Sequence, residues 1–509
     1  MYPGTIAQNH PDRLAVVLAG TDRQLTYREL DDGSASLARV LWDAGLRRGD
    51  VVALLTDNAV EAFEVFWATQ RSGLYITAVN SHLNADEVAY IVNDSGAKAL
   101  IVSAALGMLA EHAGARAGAD ATRLAFGGSV AGFDSYEDAI ATAGPRLDEE
   151  PCGSIMLYSS GTTGFPKGVQ SPLPDRRVDE PGDPLMMLAQ YMYGIDENDV
   201  YLSPAPVYHA APLRWGSTVH MLGGTVVMMS KFDPEAALRY IDQYQVTAAQ
   251  MVPTMFVRML KLDEETRTAH DLSSLRVLIH AAAPCPPDVK KAMIDWLGPV
   301  VYEYYSSTEA NGMTFINSAE WIERPGSVGK SVLGPAHVCD DEGNLLPSGE
   351  VGTIYFERET LPFTYHNDPD KTAASQHPAH PTWTTVGDLG YLDADGYMYL
   401  TDRKSFMIIS GGVNIYPQEV ENVLALHPQV LDVAVIGVPD AEMGEQVKAV
   451  VQLAPGVEET PQLAGELIDY VRARVAHYKA PKSVDFVDEL PRTPTGKLVK
   501  GKLTAIYAG

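Results

Sequence analysis

A loop rich in glycine and hydroxyl side chains, residues 157–168, is the stretch of this sequence best suited to chemistry. It follows a short apolar run and contains three glycines, four Ser or Thr hydroxyls and the basic side chain of Lys167. Glycine has no Cβ, so backbone N–H groups can approach an oxyanion closely, and the lysine adds positive charge. The loop lacks the ending of a Walker motif. Its composition predicts phosphate binding, with a flexible polar surface turn as the alternative.

A second group of reactive side chains follows a predicted strand at residues 300–302. Within residues 302–309 an aromatic ring could stack on a flat base, a hydroxyl could bond a phosphoryl oxygen, and a carboxylate could hold Mg²⁺. The alternative is an aromatic core segment that ends in a helix capping box formed by Thr308 and Glu309.

In two further segments a charged residue directly follows a glycine. Asp388 lies in a glycine-flanked turn, where its carboxylate could accept hydrogen bonds from the two hydroxyls of a ribose. An ordinary Asp-Gly turn is the alternative there. Lys497 lies in the Pro- and Gly-bounded segment 491–497, where it could deliver a cation to a ligand or simply be a solvated tail charge.

The length and charge of the chain restrict its fold and its partners. A chain of 509 residues is too long for one hydrophobic core, so two or more domains are expected. The 38 basic and 66 acidic residues give a net charge of −28, which argues against nucleic acid or an anionic membrane surface as the main partner. An anionic ligand must therefore meet local positive charge inside a cleft.

The cysteine and hydropathy patterns are those of a cytoplasmic protein. Cys152, Cys285 and Cys339 show no paired spacing, which disfavours a disulfide framework or a Cys-rich zinc site. The sequence has no apolar run of membrane-spanning length, and its N-terminus lacks the pattern of a signal peptide.

Helical and strand patterns alternate along most of the chain, which predicts an α/β fold with largely parallel sheets covered by helices on both faces. Predicted helices cover residues 25–46, 61–72, 234–244, 287–297, 417–426 and 463–476. Predicted strands cover residues 51–55, 99–102, 224–228, 248–251, 276–279, 300–302, 433–438 and 448–453. A turn-rich excursion interrupts this pattern between residues 171 and 199. We predict a large domain over residues 1–402, with a β-rich part after residue 343, and a small α+β domain over residues 403–509.

The order of these segments resembles the motifs of the acyl-adenylate-forming superfamily, which includes acyl-CoA synthetases, peptide-synthetase adenylation domains and luciferases. The resemblance covers essentially the whole chain. Its most specific parts are the Ser-Ser-Gly-Thr-Thr-Gly-Phe-Pro-Lys-Gly loop and the segment 409–421.

The resemblance implies an ATP site. The residues implied to hold the β- and γ-phosphates are Ser159, Ser160, Gly161, Thr162, Thr163, Gly164 and Lys167. Tyr305 would stack on adenine, Asp388 would bind both ribose hydroxyls, and Arg403 would lie near the ribose. The backbone implied to line the other edge of adenine is that of Ala282, Ala283 and Pro284.

The resemblance also implies the residues of the reaction. Thr308 would bond the α-phosphate and Glu309 would hold Mg²⁺, while Lys497 would bridge the α-phosphate and the acyl carboxylate. His209 matches a gating position near that carboxylate.

A mobile small domain is implied as well, because adenylation and attack by a thiol need different groups around one intermediate. It would rotate about a hinge at Ser405, and Gly411 and Gly412 would line the passage for the pantetheine arm of CoA.

Three positions differ from the family pattern, and one of them is the hinge position Ser405, where many relatives carry Asp or Lys. The chain has Ser306 where the family usually has a glycine after the tyrosine, and Ala281 where the family usually has the first glycine of Gly-Ala-Ala-Pro. Because both residues carry a Cβ, we expect their φ angles not to be positive.

The resemblance predicts an ATP-dependent acyl-CoA ligase for a hydrophobic acid: a medium- or long-chain fatty acid, or a bulky aryl or alicyclic acid. The positions expected to line the acyl pocket are Ala210, Ala211, Trp215, His280, Ala281 and Met313. For Trp215, packing in the core is an equal alternative. An enzyme that loads a separate carrier protein and a non-catalytic nucleotide- or CoA-binding relative stay open, and a homodimer is compatible with all three.

Overall fold

The computed structural model of the chain describes residues 2–116, 118, 121–159, 166–403, 406–411, 413–440, 442–492 and 498–507. For Ser159, Asp402 and Arg403 it describes the backbone only.

Helices and strands alternate from residue 3 to residue 251. The helices of this part are α1 (Pro3–Asn9), α2 (Tyr27–Asp43), α3 (Glu61–Gln70), α4 (Ala85–Asp94), α5 (Met108–Arg116), α6 (Tyr136–Ala141), α7 (Pro184–Tyr193), α8 (Ala210–Leu222) and α9 (Pro234–Gln243). The strands are β1 (Leu14–Leu18), β2 (Gln24–Thr26), β3 (Val51–Leu55), β4 (Tyr75–Val79), β5 (Ala99–Ser103), β6 (Thr122–Phe126), β7 (Asp134–Ser135), β8 (Ser154–Ser159), β9 (Lys167–Gln170), β10 (Val200–Ser203), β11 (Thr225–Met228) and β12 (Ala248–Met251).

Strands become more frequent in the second half of the chain. Its helices are α10 (Pro253–Leu260), α11 (Glu264–Thr268), α12 (Pro287–Leu297), α13 (Ser318–Glu323), α14 (Pro369–Ala374), α15 (Pro417–Leu424), α16 (Pro461–Arg472) and α17 (Lys500–Tyr507). Its strands are β13 (Val277–His280), β14 (Val301–Glu303), β15 (Thr314–Phe315), β16 (Lys330–Ser331), β17 (Ala336–Cys339), β18 (Gly352–Glu357), β19 (Thr364–Tyr365), β20 (Gln376–His377), β21 (His380–Thr384), β22 (Asp388–Leu392), β23 (Met398–Arg403), β24 (Ile408–Ser410), β25 (Val413–Ile415), β26 (Val430–Asp440), β27 (Gly444–Leu453) and β28 (Ser483–Phe486).

The chain forms two compact units, the first of which comprises Met1–Met251, Leu262–Ile279 and Pro362–Thr372. One of its sheets has the strand order β19-β9-β8-β4-β3-β5-β6-β7, in which all neighbours from β8 to β7 are parallel. Every residue of β3, β4 and β5 is buried. For β3 and β5 this agrees with the prediction that their apolar runs form strands covered on both faces, whereas β4 was not predicted. Only the β8–β9 and β9–β19 pairs at one edge are antiparallel.

A second sheet of this unit contains strands in the order β13-β12-β10-β11-β1-β2. The pairs β10–β12, β10–β11 and β1–β11 are parallel, whereas β1 and β2 form an antiparallel pair. The α/β fold with largely parallel sheets is therefore confirmed.

The second unit comprises Val252–Lys261, His280–Leu361 and Ala373–Gly509. Its β-rich part is a sheet ordered β20-β21-β18-β22-β23, with β17 also paired to β18. Its C-terminal part is a sheet ordered β25-β24-β27-β26, with β28 paired to β27. Apolar residues of α15 and α16 pack with β26 and β27 in one core cluster. Among the described residues, none of the helices has both the length and the apolar composition needed to cross a bilayer.

The excursion at residues 171–199 is more ordered than expected. It contains helix α7, whose first turn is capped by Asp183, which accepts a hydrogen bond from the Met186 N–H at 3.0 Å. The turn-rich excursion that was predicted thus includes a helix at residues 184–193, which forms because an apolar Leu-Met-Met-Leu segment follows the capping Asp-Pro pair.

A buried carboxylic acid lies where α3 packs near α2 in the first unit. The Glu64 side chain accepts a hydrogen bond from the Tyr136 hydroxyl at 3.1 Å, and a Cβ at Gly33 would lie 2.1 Å from its Oε1. Burial, assisted by the charge of Glu61, raises the pKa of Glu64 to about 8. The side chain is therefore mostly protonated at neutral pH.

Glu64→Gln is expected to make stability less dependent on pH. Because the folded pKa lies above the unfolded one, wild type should lose stability as pH rises from about 4.5 towards about 8, and the variant should not. We expect the variant to be more stable than wild type at pH values above about 8, by about 1–3 kcal/mol, with a smaller difference or the opposite sign in mild acid. Urea unfolding above pH 8 and in mild acid measures this difference in stability, and Glu111→Gln, at an exposed position, serves as the control. A stability difference between wild type and Glu64→Gln that is equal under both conditions would contradict the prediction.

Candidate active site

The glycine-rich loop begins where strand β8 ends. The β8 strand is parallel to β4, with Tyr75 and Ser154 in register, so the loop leaves this sheet at the carboxyl end of a strand, as predicted. Ser159 and Lys167 pair across β8 and β9 and close the base of the loop. The predicted phosphate-binding residues that lie outside the described residues are Ser160, Gly161, Thr162, Thr163 and Gly164.

Lys167 already has a carboxylate partner within the first unit. Its Nζ lies 2.7 Å from Oδ2 of Asp368, and the two side chains are 34% and 32% exposed. The hydrogen bond from Lys167 is the main reason why the pKa of Asp368 lies below its usual range. Sequence analysis did not identify Asp368, because nothing in the local pattern links two residues so far apart in the chain.

His209 lies at the start of α8, with Nε2 buried and without a hydrogen-bond partner among the described residues. Its ring lies 4.4 Å from that of Tyr208, and the Tyr208 hydroxyl lies 3.0 Å from Nδ1 of His82. Burial, and secondly the nearby His82, lowers the pKa of His209 to about 3. At physiological pH the His209 ring is therefore neutral, and it is available for positioning rather than for attracting an anion.

Tyr305 and Asp388 meet in the second unit. The Tyr305 hydroxyl donates a hydrogen bond of 2.6 Å to Oδ2 of Asp388. The Tyr305 ring packs against Phe356 at 6.1 Å, and its backbone N–H donates to the Thr314 hydroxyl. Strand pairing places the backbone of Arg403 opposite Asp388. The residues implied to contact adenine and ribose therefore lie side by side.

Thr308 and Glu309 lie in a turn and not at a helix start. The next helix, α13, begins at Ser318 and has its own capping box, formed by Asn317 and Glu320. The capping-box alternative for Thr308 and Glu309 is therefore wrong.

Side-chain hydrogen bonds hold this turn in place. The Ser306 hydroxyl donates to the Gly312 carbonyl at 2.7 Å, and the Asn311 amide donates to the Thr384 carbonyl at 3.1 Å. Glu309 is 9% exposed. No cluster of three metal-binding side chains occurs within the described part of the chain.

The segment implied to lie along adenine has an unusual backbone. Neither Ala281 nor Ser306 has a positive φ, which confirms that expectation. Ala282 instead adopts a φ of 74°, in the left-handed region that residues with a Cβ rarely occupy. Ala282 and Pro284 are exposed and Ala283 is half-buried.

The expected acyl-pocket residues of the first unit all lie on α8. Ala210 and Ala211 form its first turn and are half-buried. Trp215 is 1% exposed, meets the Tyr193 ring edge-on at 5.4 Å and stacks near Tyr201 at 6.5 Å. Its position agrees with the core-packing alternative.

The expected pocket residues of the second unit are also buried. His280, Ala281 and Met313 are 0%, 3% and 6% exposed. The His280 ring lies edge-on to Phe256 at 5.3 Å, and its Nε2 lies 3.5 Å from Oε2 of Glu303. Burial lowers the pKa of His280 well below its usual range.

A buried ion pair joins α12 to β14 beside His280, and sequence analysis did not identify it. Nζ of Lys290 lies 2.6 Å from Oε2 of Glu303, and the two residues are 0% and 7% exposed. The ammonium also lies 4.9 Å from the centre of the Trp321 ring. Burial raises the pKa of Glu303, and Lys290 opposes that shift. The sequence did contain a sign that Lys290 is buried, because the apolar residues Val289 and Met293 lie near it on the buried face of α12.

Several predicted residues of the C-terminal part cannot be placed. Lys497, Ser405 and Gly412 lie outside the described residues. Gly411 is exposed, has a φ of 57° and donates its N–H to the Met443 carbonyl at 2.8 Å.

Comparison with known proteins gives matches over nearly the whole chain. Residues 5–366 match the AMP-binding enzyme family, and residues 419–497 match the AMP-binding enzyme C-terminal domain. A feruloyl-CoA synthase from Amycolatopsis is 36% identical, with 99% of this chain and 97% of the relative covered. The fatty acid–acyl-carrier-protein ligase ScoC from Streptomyces coeruleorubidus is 32% identical, with coverage of 99% and 95%.

A similar solved structure is that of the anthranilate CoA ligase AuaEII in complex with anthranoyl-AMP. It has a TM-score of 0.84 and 27% sequence identity, and the match covers 100% of this chain and 97% of the other. The family matches and the relatives agree with the motif order and with the observed fold. The chain belongs to the AMP-binding enzyme family, as an acid–thiol ligase that uses ATP, Mg²⁺ and CoA.

Proposed function

We propose that this enzyme activates a hydrophobic carboxylic acid as an acyl-adenylate and then transfers the acyl group to CoA. The acid would be a medium- or long-chain fatty acid, or a bulky aryl or alicyclic acid. The hydrogen bond between Tyr305 and Asp388 is the observation that carries the nucleotide part of this proposal. It brings together an aromatic ring suited to adenine and a carboxylate suited to a ribose diol.

The remaining nucleotide contacts are proposed from the resemblance to the family. We propose that Arg403, opposite Asp388 in the strand pairing, lies near the ribose, and that the exposed backbone at Ala282 lines the other edge of adenine. Thr308 would bond the α-phosphate, and Glu309 would hold Mg²⁺. When bound, that ion would neutralise part of the charge on the phosphates.

The first half-reaction joins two anions, so charge neutralisation is its main requirement. An oxygen of the acyl carboxylate attacks the α-phosphorus, and the bond to pyrophosphate breaks. We propose that Lys497 lies between these two anions and that Lys167 and the glycine-rich loop hold the departing pyrophosphate. In the second half-reaction the CoA sulfur attacks the acyl carbon, AMP leaves with the electrons of the C–O bond, and the thiol proton passes to solvent.

The proposed acid class rests on the small or neutral side chains at the predicted pocket positions. The neutral ring of His209 supplies no positive charge, and Ala210 and Ala211 leave volume beside it. The predicted pocket positions include no lysine or arginine that could pair with a second carboxylate. Relatives named as a feruloyl-CoA synthase and as a fatty acid–acyl-carrier-protein ligase support this proposal, whereas a relative named as a 2-succinylbenzoate–CoA ligase acts on an acid with a second carboxylate.

A small domain over residues 403–509 would rotate about Ser405 against a large domain over residues 1–402, and Gly411 and Gly412 would then line the pantetheine passage. We further propose that the enzyme works in the cytoplasm, where ATP and CoA are available.

Loading of a carrier protein is the second candidate function. One relative, 32% identical, is named as a ligase for an acyl carrier protein. The class of acid therefore does not determine whether CoA or a carrier protein accepts the acyl group. A non-catalytic role is disfavoured because the positions of Lys167, Glu309, Asp388 and Lys497 all carry the residue types that the chemistry needs.

A panel of carboxylic acids, scored for pyrophosphate and AMP release with and without CoA, tests the proposal. Hydrophobic acids should release AMP only when CoA is present, and a second carboxylate on the best acid should lower kcat/KM by about tenfold or more. If no hydrophobic acid releases pyrophosphate, the proposed substrate class is wrong. If an adenylate forms but CoA never accepts it, the carrier-protein alternative is correct.

A further inference from the structure

Asp368 forms an ion pair with Lys167, the lysine of the glycine-rich loop. The segment that carries Asp368 is fixed beside β9: Tyr365 pairs with Val169 in the β9–β19 ladder, and the His366 N–H donates to the Gly168 carbonyl at 2.8 Å. This docking places Oδ2 of Asp368 2.7 Å from Nζ of Lys167. The backbone of the segment that carries Asp368 is therefore fixed at the edge of the sheet, whereas the two side chains of the ion pair are 34% and 32% exposed.

The base of the loop carries a second carboxylate. The Asp94 carboxylate accepts a hydrogen bond of 2.5 Å from the hydroxyl of Tyr158. Tyr158 directly precedes Ser159 at the end of β8. The backbone carbonyl of Asp94 also lies 3.0 Å from Nε2 of His366. Together with a net charge of −28, these carboxylates limit the positive charge that Lys167 can offer to an anion.

A phosphate anion and Asp368 compete for the same ammonium. ATP and pyrophosphate each carry several negative charges, so either would bind Lys167 more strongly than one carboxylate does. A carboxylate tethered at 2.7 Å nevertheless acts at a high, constant effective concentration, whereas a departing ligand is diluted. The Asp368 carboxylate therefore weakens the binding of any anion at Lys167 and shortens the residence time of that anion.

We propose that the Asp368 carboxylate competes with pyrophosphate for the Lys167 ammonium and thereby promotes the release of pyrophosphate. This inference rests on the proposed function, in which Lys167 holds the departing pyrophosphate. In the ligand-free enzyme the carboxylate keeps the ammonium at the base of the loop. As pyrophosphate dissociates, the Asp368 carboxylate pairs with the Lys167 ammonium again, and this pairing makes rebinding of pyrophosphate less favourable.

Asp368→Asn is a suitable test because it removes the charge but keeps a helix-capping oxygen. Oδ1 of Asp368 accepts the Lys371 N–H at 3.0 Å in the first turn of α14, and asparagine caps helices as well as aspartate does. Asp263→Asn is the matched control. Asp263 is exposed and caps α11 through the Thr266 N–H at 2.7 Å, so its replacement makes the same charge change at another helix start.

Calorimetric titration of the full-length enzyme with magnesium pyrophosphate measures the competition directly. We expect Asp368→Asn to tighten pyrophosphate binding by about 2- to 5-fold, the range expected for one partly exposed ion pair, and to lower the KM for ATP by a similar factor. Asp263→Asn should change neither value. In a Lys167→Met background, Asp368→Asn should have no effect, because the ammonium for which the anions compete is then absent.

Three results would overturn the inference. Weaker pyrophosphate binding in Asp368→Asn would mean that the carboxylate orients Lys167 for the ligand, and unchanged binding would mean that it does not compete. Tightening that persists in the Lys167→Met background would mean that the effect bypasses Lys167. If wild type binds no pyrophosphate and forms no AMP from any acid, the proposed function fails together with the inference. AMP formation with unaltered pyrophosphate binding in the variant overturns the inference alone.

Discussion

Replacing Lys497 with alanine is expected to slow acyl-adenylate formation by about 100-fold or more, while thioester formation from supplied acyl-adenylate changes far less. In the first half-reaction a carboxylate must approach an anionic phosphate, and we propose that the Lys497 ammonium neutralises both. In the second half-reaction a neutral acyl carbon reacts with a thiol, so the same charge has little to stabilise. Pyrophosphate release and thioester formation, assayed separately, distinguish the two steps.

Lys502→Ala provides the matched control for Lys497→Ala. Lys502 is exposed on α17 in the same basic tail, and its loss removes an equal charge. Both half-reactions should be close to wild type in this control. An equal loss of both half-reactions in Lys497→Ala would contradict the role proposed for Lys497.

Replacing Lys290 with methionine is expected to lower the free energy of unfolding by about 3–5 kcal/mol. Methionine fills much of the same volume, but it leaves the Glu303 carboxylate buried without its ammonium partner 2.6 Å away. Burial already raises the pKa of Glu303, and the loss of Lys290 should raise it further. The variant should therefore lose more stability as pH rises above the usual range for a glutamic acid, because Glu303 must then be ionised without a partner or stay protonated.

The adjacent lysine offers a control for this prediction. Lys291 is exposed on the same helix and pairs with Asp295 at 2.6 Å, so Lys291→Met should change the free energy of unfolding by no more than about 0.5 kcal/mol. Adding Glu303→Gln to Lys290→Met should restore part of the lost stability, because no buried charge then remains. Urea unfolding of wild type and of these three variants measures these values. Similar losses for Lys290→Met and Lys291→Met would show that the pair contributes little.

The sequence was most informative where one short pattern decides the local structure. The predicted bounds of β3, β12 and α12 match those observed, because an apolar run or a Pro-initiated amphipathic segment is bounded there by polar or turn-forming residues. Helices α3, α15 and α16 end two to four residues before their predicted ends, since helix ends depend on local capping and packing.

The parts that were not predictable depend on distance in space. Motif order suggested that Tyr305 and Asp388 act on one nucleotide, but only the fold shows that their side chains share a hydrogen bond. The pairing of Lys167 with Asp368 and of Lys290 with Glu303 likewise arises from tertiary packing. The left-handed φ of Ala282 could not be predicted either, because a residue with a Cβ is expected to avoid that region.

The pairing of Ser159 with Lys167 at the base of the glycine-rich loop has a thermodynamic consequence. Bringing the two ends of a flexible segment together costs conformational entropy, and this cost depends only weakly on the length of the segment. Here the β8–β9 ladder has already joined the two ends in the ligand-free chain. That entropy loss is therefore part of the free energy of folding, and a nucleotide that binds at the loop does not have to offset it again.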